Sequence, residues 1–294
     1  MARALLGIIG GSGVYDLPGI EDLREVEVRS PWGEPSDAVR LGRLGETPVA
    51  FLPRHGRGHR HAPGDINYRA NIDVLKRVGV TDLVSVSAVG SLREDLSPGT
   101  FVLVDQYVDR TVERPRSFFG KGFVAHVPFA QPVSPGLADL VAAAGEREGI
   151  ACHRGGTLVV IEGPAFSTTA ESHLFRSWGA DLVGMTALPE ARLAREAEIA
   201  YATLAMVTDY DAWRAGGHAV DVASVVRVLA DNRGRVQRLL ARLVRDFPAA
   251  HPLCPHADRA LDGAVMTAPE ARDPAVVARL DAVAGRILRD RGME

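Results

Sequence analysis

The chain has 294 residues, 46% of them hydrophobic, a net charge of −3 and a pI near 6.3. That is enough apolar residue for a substantial core, and too little basic character for a nucleic-acid or anionic-membrane partner. No apolar run is long enough to span a bilayer, and the start MARALLGIIGGSG lacks the length and cleavage pattern of a secretory signal, so the cytoplasm is the expected location. Cys152 and Cys254 make neither a disulfide framework nor a C-x-x-C metal site.

The first element is an apolar start, Ala4 to Leu6, running into GIIGGSG at Gly7 to Gly13. Glycines there let the backbone approach a ligand, and their N–H groups can converge on an anion such as phosphate. Val14, Tyr15 and Asp16 follow Gly13, so neither the dinucleotide glycine fingerprint nor a P-loop is present, and an NAD-dependent enzyme is disfavoured. An ordinary strand-end turn fits this stretch equally well.

Val49 to Leu52 reads as a buried strand leading into PRHGRGHRH, Pro53 to His61. Arg54 and His55 stand at the strand end, where an arginine fork and an imidazole suit an oxyanion. Arg57 and Arg60 read as a solvated basic loop, and His55, His59 and His61 lack an acidic neighbour or a metal-ligand spacing. Asn67 caps a helix ending before Gly79. A second strand, Leu83 to Val86, ends in SVSAVGSL, where Ser87 offers a hydroxyl and Ala88 to Gly90 offer backbone N–H groups; a tightly packed sheet edge is the alternative.

Phe101 to Val104 is a third strand, and Ser134 caps a helix ending before Gly149. Leu158 to Ile161 then ends in IEGPAFSTTAES, with Thr168 and Glu171 forming a capping box for a helix that stops at Gly179. Phe166, just ahead of that helix, is placed either for the core or for stacking on a planar base. GMTALPE, Gly184 to Glu190, is another apolar approach and turn, with a helix from Pro189 through Glu198.

Ala202 to Val207 is a fifth strand, and VTDYDAW carries it into Asp209 and Asp211. Residues two apart on extended chain point the same way, so both carboxylates can face one ligand, or both can be turn aspartates. Val220 to Phe247 is a long amphipathic helix. Pro248 to Pro274 holds five prolines and reads as a surface loop, before a last helix from Ala275 to Arg289. The interleaving of strands and helices predicts one α/β domain with a sheet covered by helices.

In order along the chain, IIGGSG, RHGRGH, NYRANI, SAVGSLRE, IEGPAFST, FRSWGADLVGMT, PEARLAREAEIAYA and TDYDAW resemble the methylthioadenosine phosphorylases of the trimeric purine nucleoside phosphorylase family. The resemblance runs from Gly7 to about Leu229 and is specific as a combination. It implies a central mixed, twisted β-sheet flanked by helices over residues 1–247, with 248–294 a C-terminal loop and helix packed on the same domain. The implied reaction is phosphorolysis of a 5'-modified adenosine to adenine and a 5-modified ribose 1-phosphate, without metal or organic cofactor, in a homotrimer.

On matching positions the resemblance implies that Ser12, Arg54, His55 and Ser87, with the backbone at Ala88, bind phosphate. Met185 would lie against the ribose and Phe166 against the base, with Ser167 and Thr186 nearby. Asp209 would be the general acid toward N7, and Asp211 would accept from the 6-amino group. Val222, Val225 and Val226 would line the pocket for the 5' substituent, with the core face of their helix as the alternative reading. His126 would enter a neighbouring subunit's site.

Two positions depart from the family pattern. Ala165 replaces the arginine of G-P-R-F, and Gly184 replaces the asparagine of Asn-Met-Thr. Gly184 also occurs in relatives that prefer 6-oxopurines, so an inosine or methylthioinosine phosphorylase stays open, as does one acting on 5'-deoxy-5'-haloadenosines. A nucleosidase using water would have no use for the phosphate set, and a nucleoside-binding protein without turnover is the non-enzymatic alternative.

Overall fold

The computed structural model describes residues 4–11, 17–214 and 220–289, and among them eleven strands form one mixed sheet. The strand Asp82–Ser91, here β5, is its hub; the preceding strands are β1 (Leu6–Gly10), β2 (Glu21–Val26), β3 (Val39–Leu44) and β4 (Thr47–Pro53). After it come β6 (Phe101–Val104), β7 (Gln106–Arg110), β8 (Cys152–Arg154), β9 (Thr157–Ile161), β10 (Leu182–Gly184) and β11 (Ala200–Asp209). β5 pairs in parallel with β1 over its first half and with β11 over nearly its whole length, while its last residues, Gly90 and Ser91, pair antiparallel with β10. The sheet continues from β1 to β4, β3 and β2 on one side, and from β10 to β9 and β7 on the other.

Helices cover both faces. α1 (Tyr68–Arg77) and α4 (Ala187–Glu196) lie on one, and α2 (Pro135–Arg147) and α5 (Val222–Asp246) on the other. Side chains therefore alternate between two cores: on β11, Tyr201, Ala205 and Val207 enter the first, while Ala202, Leu204 and Met206 enter the second. Burial on both faces is why the central strands read as unbroken apolar runs. The short or polar strands β2, β7, β8 and β10 carry no such run, and the sequence pattern passes over them.

The caps form where the sequence places them. Asn67 accepts from the Ala70 N–H, Ser134 from Leu137, and the Thr168–Glu171 capping box closes in both directions at α3 (Thr169–Ser177). Gly79, Gly149 and Gly179 all adopt positive φ beyond their helices. α5 buries Val236, Leu239, Leu240, Leu243 and Val244, an i, i+3, i+4 stripe, but only in its C-terminal half.

The region after α5 differs from its reading as a surface loop. α6 (Pro255–Asp258) buries Ala257 against Cys254 and Ala200, and Leu261 and Leu280 join the core on the α1/α4 face. The expected final helix is two pieces, α7 (Pro274–Arg279) and α8 (Gly285–Arg289), each too short to show helical periodicity. His251 fastens this segment to the sheet, with Nδ1 2.7 Å from Asp82 Oδ2 and Nε2 2.8 Å from Asp258 Oδ1. Farther on, Met266 N–H donates to the Val124 carbonyl and His126 N–H to that of Ala264, so the same segment holds the loop that carries His126.

Candidate active site

The parallel strands β1, β4, β5 and β11 end on the same edge, where ligand sites of α/β sheets form. Arg54 follows β4, and its N–H donates to the Gly10 carbonyl at the end of β1, 3.0 Å away. Ser12 lies outside the described residues.

Arg54 is buried, and its guanidinium is directed inward. Nε and Nη2 form a bidentate pair with Glu190 at 2.8 and 3.0 Å, Nη1 donates to the Val86 carbonyl, and Nη2 also reaches Ser85 Oγ. The fork expected to face an oxyanion thus engages α4 and β5, leaving one Nη1 hydrogen without a partner among the described residues. Glu190 in turn accepts from the Tyr201 hydroxyl. The sequence reading missed Glu190, because a glutamate beginning a helix is commonplace and nothing nearby in sequence points to Arg54.

His55 is nine-tenths buried, with Nδ1 2.9 Å from the His61 carbonyl and its ring stacked 4.1 Å from His59. A carbonyl can only accept, so Nδ1 carries the hydrogen. Burial holds the ring's pKa down near 4, helped by the neighbouring Arg54. Among the flanking arginines, Arg57 is exposed but paired with Asp37 and Glu25, and Arg60 donates to the Ser36 carbonyl.

Ser87 and Thr186 place their hydroxyls 3.3 Å apart. This contact follows from the antiparallel pairing of β10 with β5, which runs Gly184, Met185 and Thr186 back alongside Ala88 and Ser87. Thr186, read from the sequence as a neighbour of the base, therefore stands beside Ser87. Ala88 is exposed although it lies inside the central strand β5, so the edge opens here rather than packing shut.

Met185 is fixed from behind by Arg114, a residue the sequence reading did not single out. Arg114 is buried and donates to the carbonyls of Met185 (2.6 Å), Leu188 (2.9 Å) and Glu162 (2.5 Å), and to the Glu162 carboxylate (2.8 Å). It ties the ends of β9 and β10 together. Gly163 is required beside it: its φ is +68°, and a Cβ there would lie 2.7 Å from Met185 Sδ. At Gly184 a side chain would start 3.2 Å from Val89 Cγ1, among apolar neighbours.

β11 ends in the two aspartates. Asp209 Oδ1 accepts from the Asp211 N–H and Oδ2 from the Thr208 hydroxyl, both at 2.8 Å. Burial, with Asp211's charge adding to it, raises the Asp209 pKa above the usual carboxylate range. Asp211 is likewise raised, chiefly by burial, against the Ser172 and Ser167 hydroxyls, which favour its charge. Neither hydroxyl forms a hydrogen bond of normal geometry to it: Asp211 Oδ2, Ser167 Oγ and Ser172 Oγ are buried without a partner among the described residues. A polar atom so placed costs on the order of 1–3 kcal/mol, which a ligand with complementary groups recovers. Gly90 makes room for the pair, since a Cβ there would sit 2.9 Å from Asp209 Oδ1.

The remaining expected residues lie at the surface. Phe166 is 41% exposed, which sets aside a core role. Val222 and Val226 are 66% and 54% exposed and Val225 is half-buried, so the core-face alternative fails for the first two. His126 is exposed. No cluster of three or more metal-ligating side chains occurs among the described residues, and no helix there is long and apolar enough to cross a membrane.

The mixed sheet flanked by helices is a single α/β domain, and the chain belongs to the Phosphorylase superfamily, whose family model matches residues 5–245. S-methyl-5'-thioadenosine phosphorylase of Bradyrhizobium diazoefficiens is 60% identical over 290 residues, covering 98% of this chain and all of the relative. The enzyme of that name from Cereibacter sphaeroides is 54% identical over 98% of this chain and 99% of its own. Among solved structures, a methylthioadenosine phosphorylase from an antarctic soil metagenomic library superposes with a TM-score of 0.90 at 46% identity, covering 96% and 99% of the two chains. One from Schistosoma mansoni in complex with adenine gives 0.77 at 32% identity, covering 96% and 98%.

Proposed function

We propose that this protein is an S-methyl-5'-thioadenosine phosphorylase, cleaving its substrate with inorganic phosphate to adenine and 5-methylthioribose 1-phosphate. The observation that carries the choice of base is the carboxylate pair at the end of β11, buried Asp211 beside half-buried Asp209. A carboxylate acceptor at the 6-position suits an amino group and is left unpaired, at a cost, by a 6-oxopurine. This favours adenine despite Gly184.

In the reaction a phosphate oxygen forms a bond to C1' as the C1'–N9 bond breaks, the bonding pair leaving with the purine. The transition state resembles an oxocarbenium ion, which the anionic phosphate stabilises. Ser87, Thr186 and the Ala88 backbone supply donors to the phosphate, with Ser12 assigned there from the resemblance, while neutral His55, its hydrogen on Nδ1, can only accept through Nε2 from a phosphate O–H. Arg54 adds its remaining N–H and fixes the strand ends from beneath. Asp209, whose hold on a proton burial strengthens, donates to N7 as the base leaves; Asp211 accepts from the exocyclic amine. Phe166 covers the base, Ser167 stands beside it, Met185 lies against the ribose, and the exposed Val222, Val225 and Val226 suit an alkylthio group. Phosphate is the co-substrate, with no metal or organic cofactor.

The exposed His126, held on its loop by the C-terminal segment, suits a role in an adjoining copy's site, and a homotrimer in the cytoplasm is the working assembly. Adenine release from methylthioadenosine, with and without phosphate, beside inosine, adenosine and 5'-chloro-5'-deoxyadenosine, tests the reading. Phosphate-dependent cleavage with methylthioadenosine preferred is expected. Preference for inosine would overturn the role of the aspartates, and preference for the chloronucleoside would change the 5' substituent.

A further inference from the structure

Ser172 has no role in the chemistry described so far, yet its surroundings are not those of an ordinary helix serine. It lies in α3 with no exposed surface. A serine inside a helix commonly bonds a carbonyl of the preceding turn. Ser177, in the same helix, does so, donating to the Leu174 carbonyl at 2.7 Å. Ser172 Oγ makes no such bond, and is buried with Ser167 Oγ and Asp211 Oδ2, three oxygens without partners among the described residues. Asp211 itself is held in the left-handed region at φ +46°, its N–H donated to Asp209 Oδ1, so the turn dictates where the carboxylate points.

We infer that Ser172 is a positioning residue for base recognition: its hydroxyl donates to Asp211 Oδ2 when a 6-aminopurine is bound, leaving the other carboxylate oxygen to accept from the exocyclic amine. This rests on the function proposed above and goes beyond it, since Ser172 touches Asp211 rather than substrate.

The surroundings of Asp211 make such a donor necessary. Burial first, and then the charge of Glu171 on α3, favour protonated Asp211, while Asp209 at the end of β11 is neutral when it holds the proton the reaction needs. The Ser172 hydroxyl, the Ala212 N–H and the Ser167 hydroxyl oppose this. A protonated Asp211 presents an O–H that donates to a 6-oxo group instead. Ser172 thus protects the discrimination between amino and oxo bases.

The test is the pH profile of kcat/KM in Ser172→Ala. Methylthioadenosine cleavage is expected to fall about tenfold at pH 7, the scale of one hydrogen bond to a charged group. The acid limb should move to higher pH, the ratio of inosine to methylthioadenosine cleavage should rise, and KM for phosphate should stay within about twofold. Ser172→Cys keeps a weaker donor on a slightly larger side chain and should shift the limb by less, which preserves the test if the alanine variant does not fold. An unmoved acid limb in both variants, or equal losses for both bases, would overturn the proposal. Failure of the unaltered enzyme to release adenine from methylthioadenosine in the same assay would strike instead at the proposed function.

Discussion

Arg54 and Glu190 face each other across 2.8 Å, both side chains 1% exposed, in the interior between β4 and α4. Glu190 lies 136 residues farther along the chain, and the bidentate geometry aligns the strand end that carries His55 with the helix that follows Thr186. Removing one member strands a buried charge. Glu190→Ala is therefore expected to lower stability by about 3–5 kcal/mol, and Glu190→Gln by less, in urea unfolding. Arg54→Ala should raise KM for phosphate more than KM for nucleoside; equal effects would reduce Arg54 to a structural part.

Asp209 must be protonated to act. Asp209→Asn and Asp209→Ala should each lose about 10²- to 10⁴-fold in turnover with the fold intact by circular dichroism. Near-normal kcat in either variant would remove the acid assignment. Because burial and then Asp211's charge raise the Asp209 pKa, kcat/KM in the unaltered enzyme should decline as pH rises through that raised value. The decline should be absent from the residual activity of Asp209→Asn.

Gly90 supports the site through its missing side chain. Gly90→Ala would drive a methyl to 2.9 Å from Asp209 Oδ1 and 3.2 Å from Asp211 Cβ, displacing both carboxylates. A loss on the order of 10²-fold in kcat/KM is expected from misplacement of that size. Phosphate affinity should change little, since Ser87 lies about 10 Å back along the strand.

His251 links pH to stability. Its pKa is raised from 6.5 to about 10, first by the hydrogen bonds to Asp258 and Asp82. A raised pKa means the folded state holds the proton more tightly, so this contribution is fully present below pH 6.5 and is lost as pH climbs through 10. His251→Ala should cost about 1–2 kcal/mol near pH 6 and progressively less above pH 7, measured as urea midpoints across the range. A cost independent of pH would mean the imidazole contributes packing alone.

The 5' pocket offers a variant that separates binding from folding. Val222 and Val226 are largely exposed, so Val222→Ser and Val226→Ser should leave the melting temperature within a degree or two while raising KM for methylthioadenosine several-fold. KM for adenosine, whose hydroxyl tolerates a polar wall, should rise less. Identical changes for both nucleosides would place these valines outside the pocket.

The sequence by itself determined the α/β class, the strands buried on both faces, the helix caps at Asn67, Ser134 and Thr168, and the strand-end positions of His55, Ser87 and Asp209, because these depend on local pattern. Apolar runs, cap chemistry and glycine at positive φ act within a few residues of themselves. Tertiary structure alone decided the inward turn of Arg54 toward Glu190, the clamp of Arg114 on Met185, the company of Thr186 with Ser87, and the packing of residues 249–289. Each joins segments distant in sequence, through donors and acceptors found in any loop or helix start, and no periodicity marks which will meet. Ser172 stands between the two: the capping box of its helix was legible, but only the approach of α3 to the end of β11 buries its hydroxyl beside Asp211, where burial and then the Glu171 charge disfavour the carboxylate and make that hydroxyl matter.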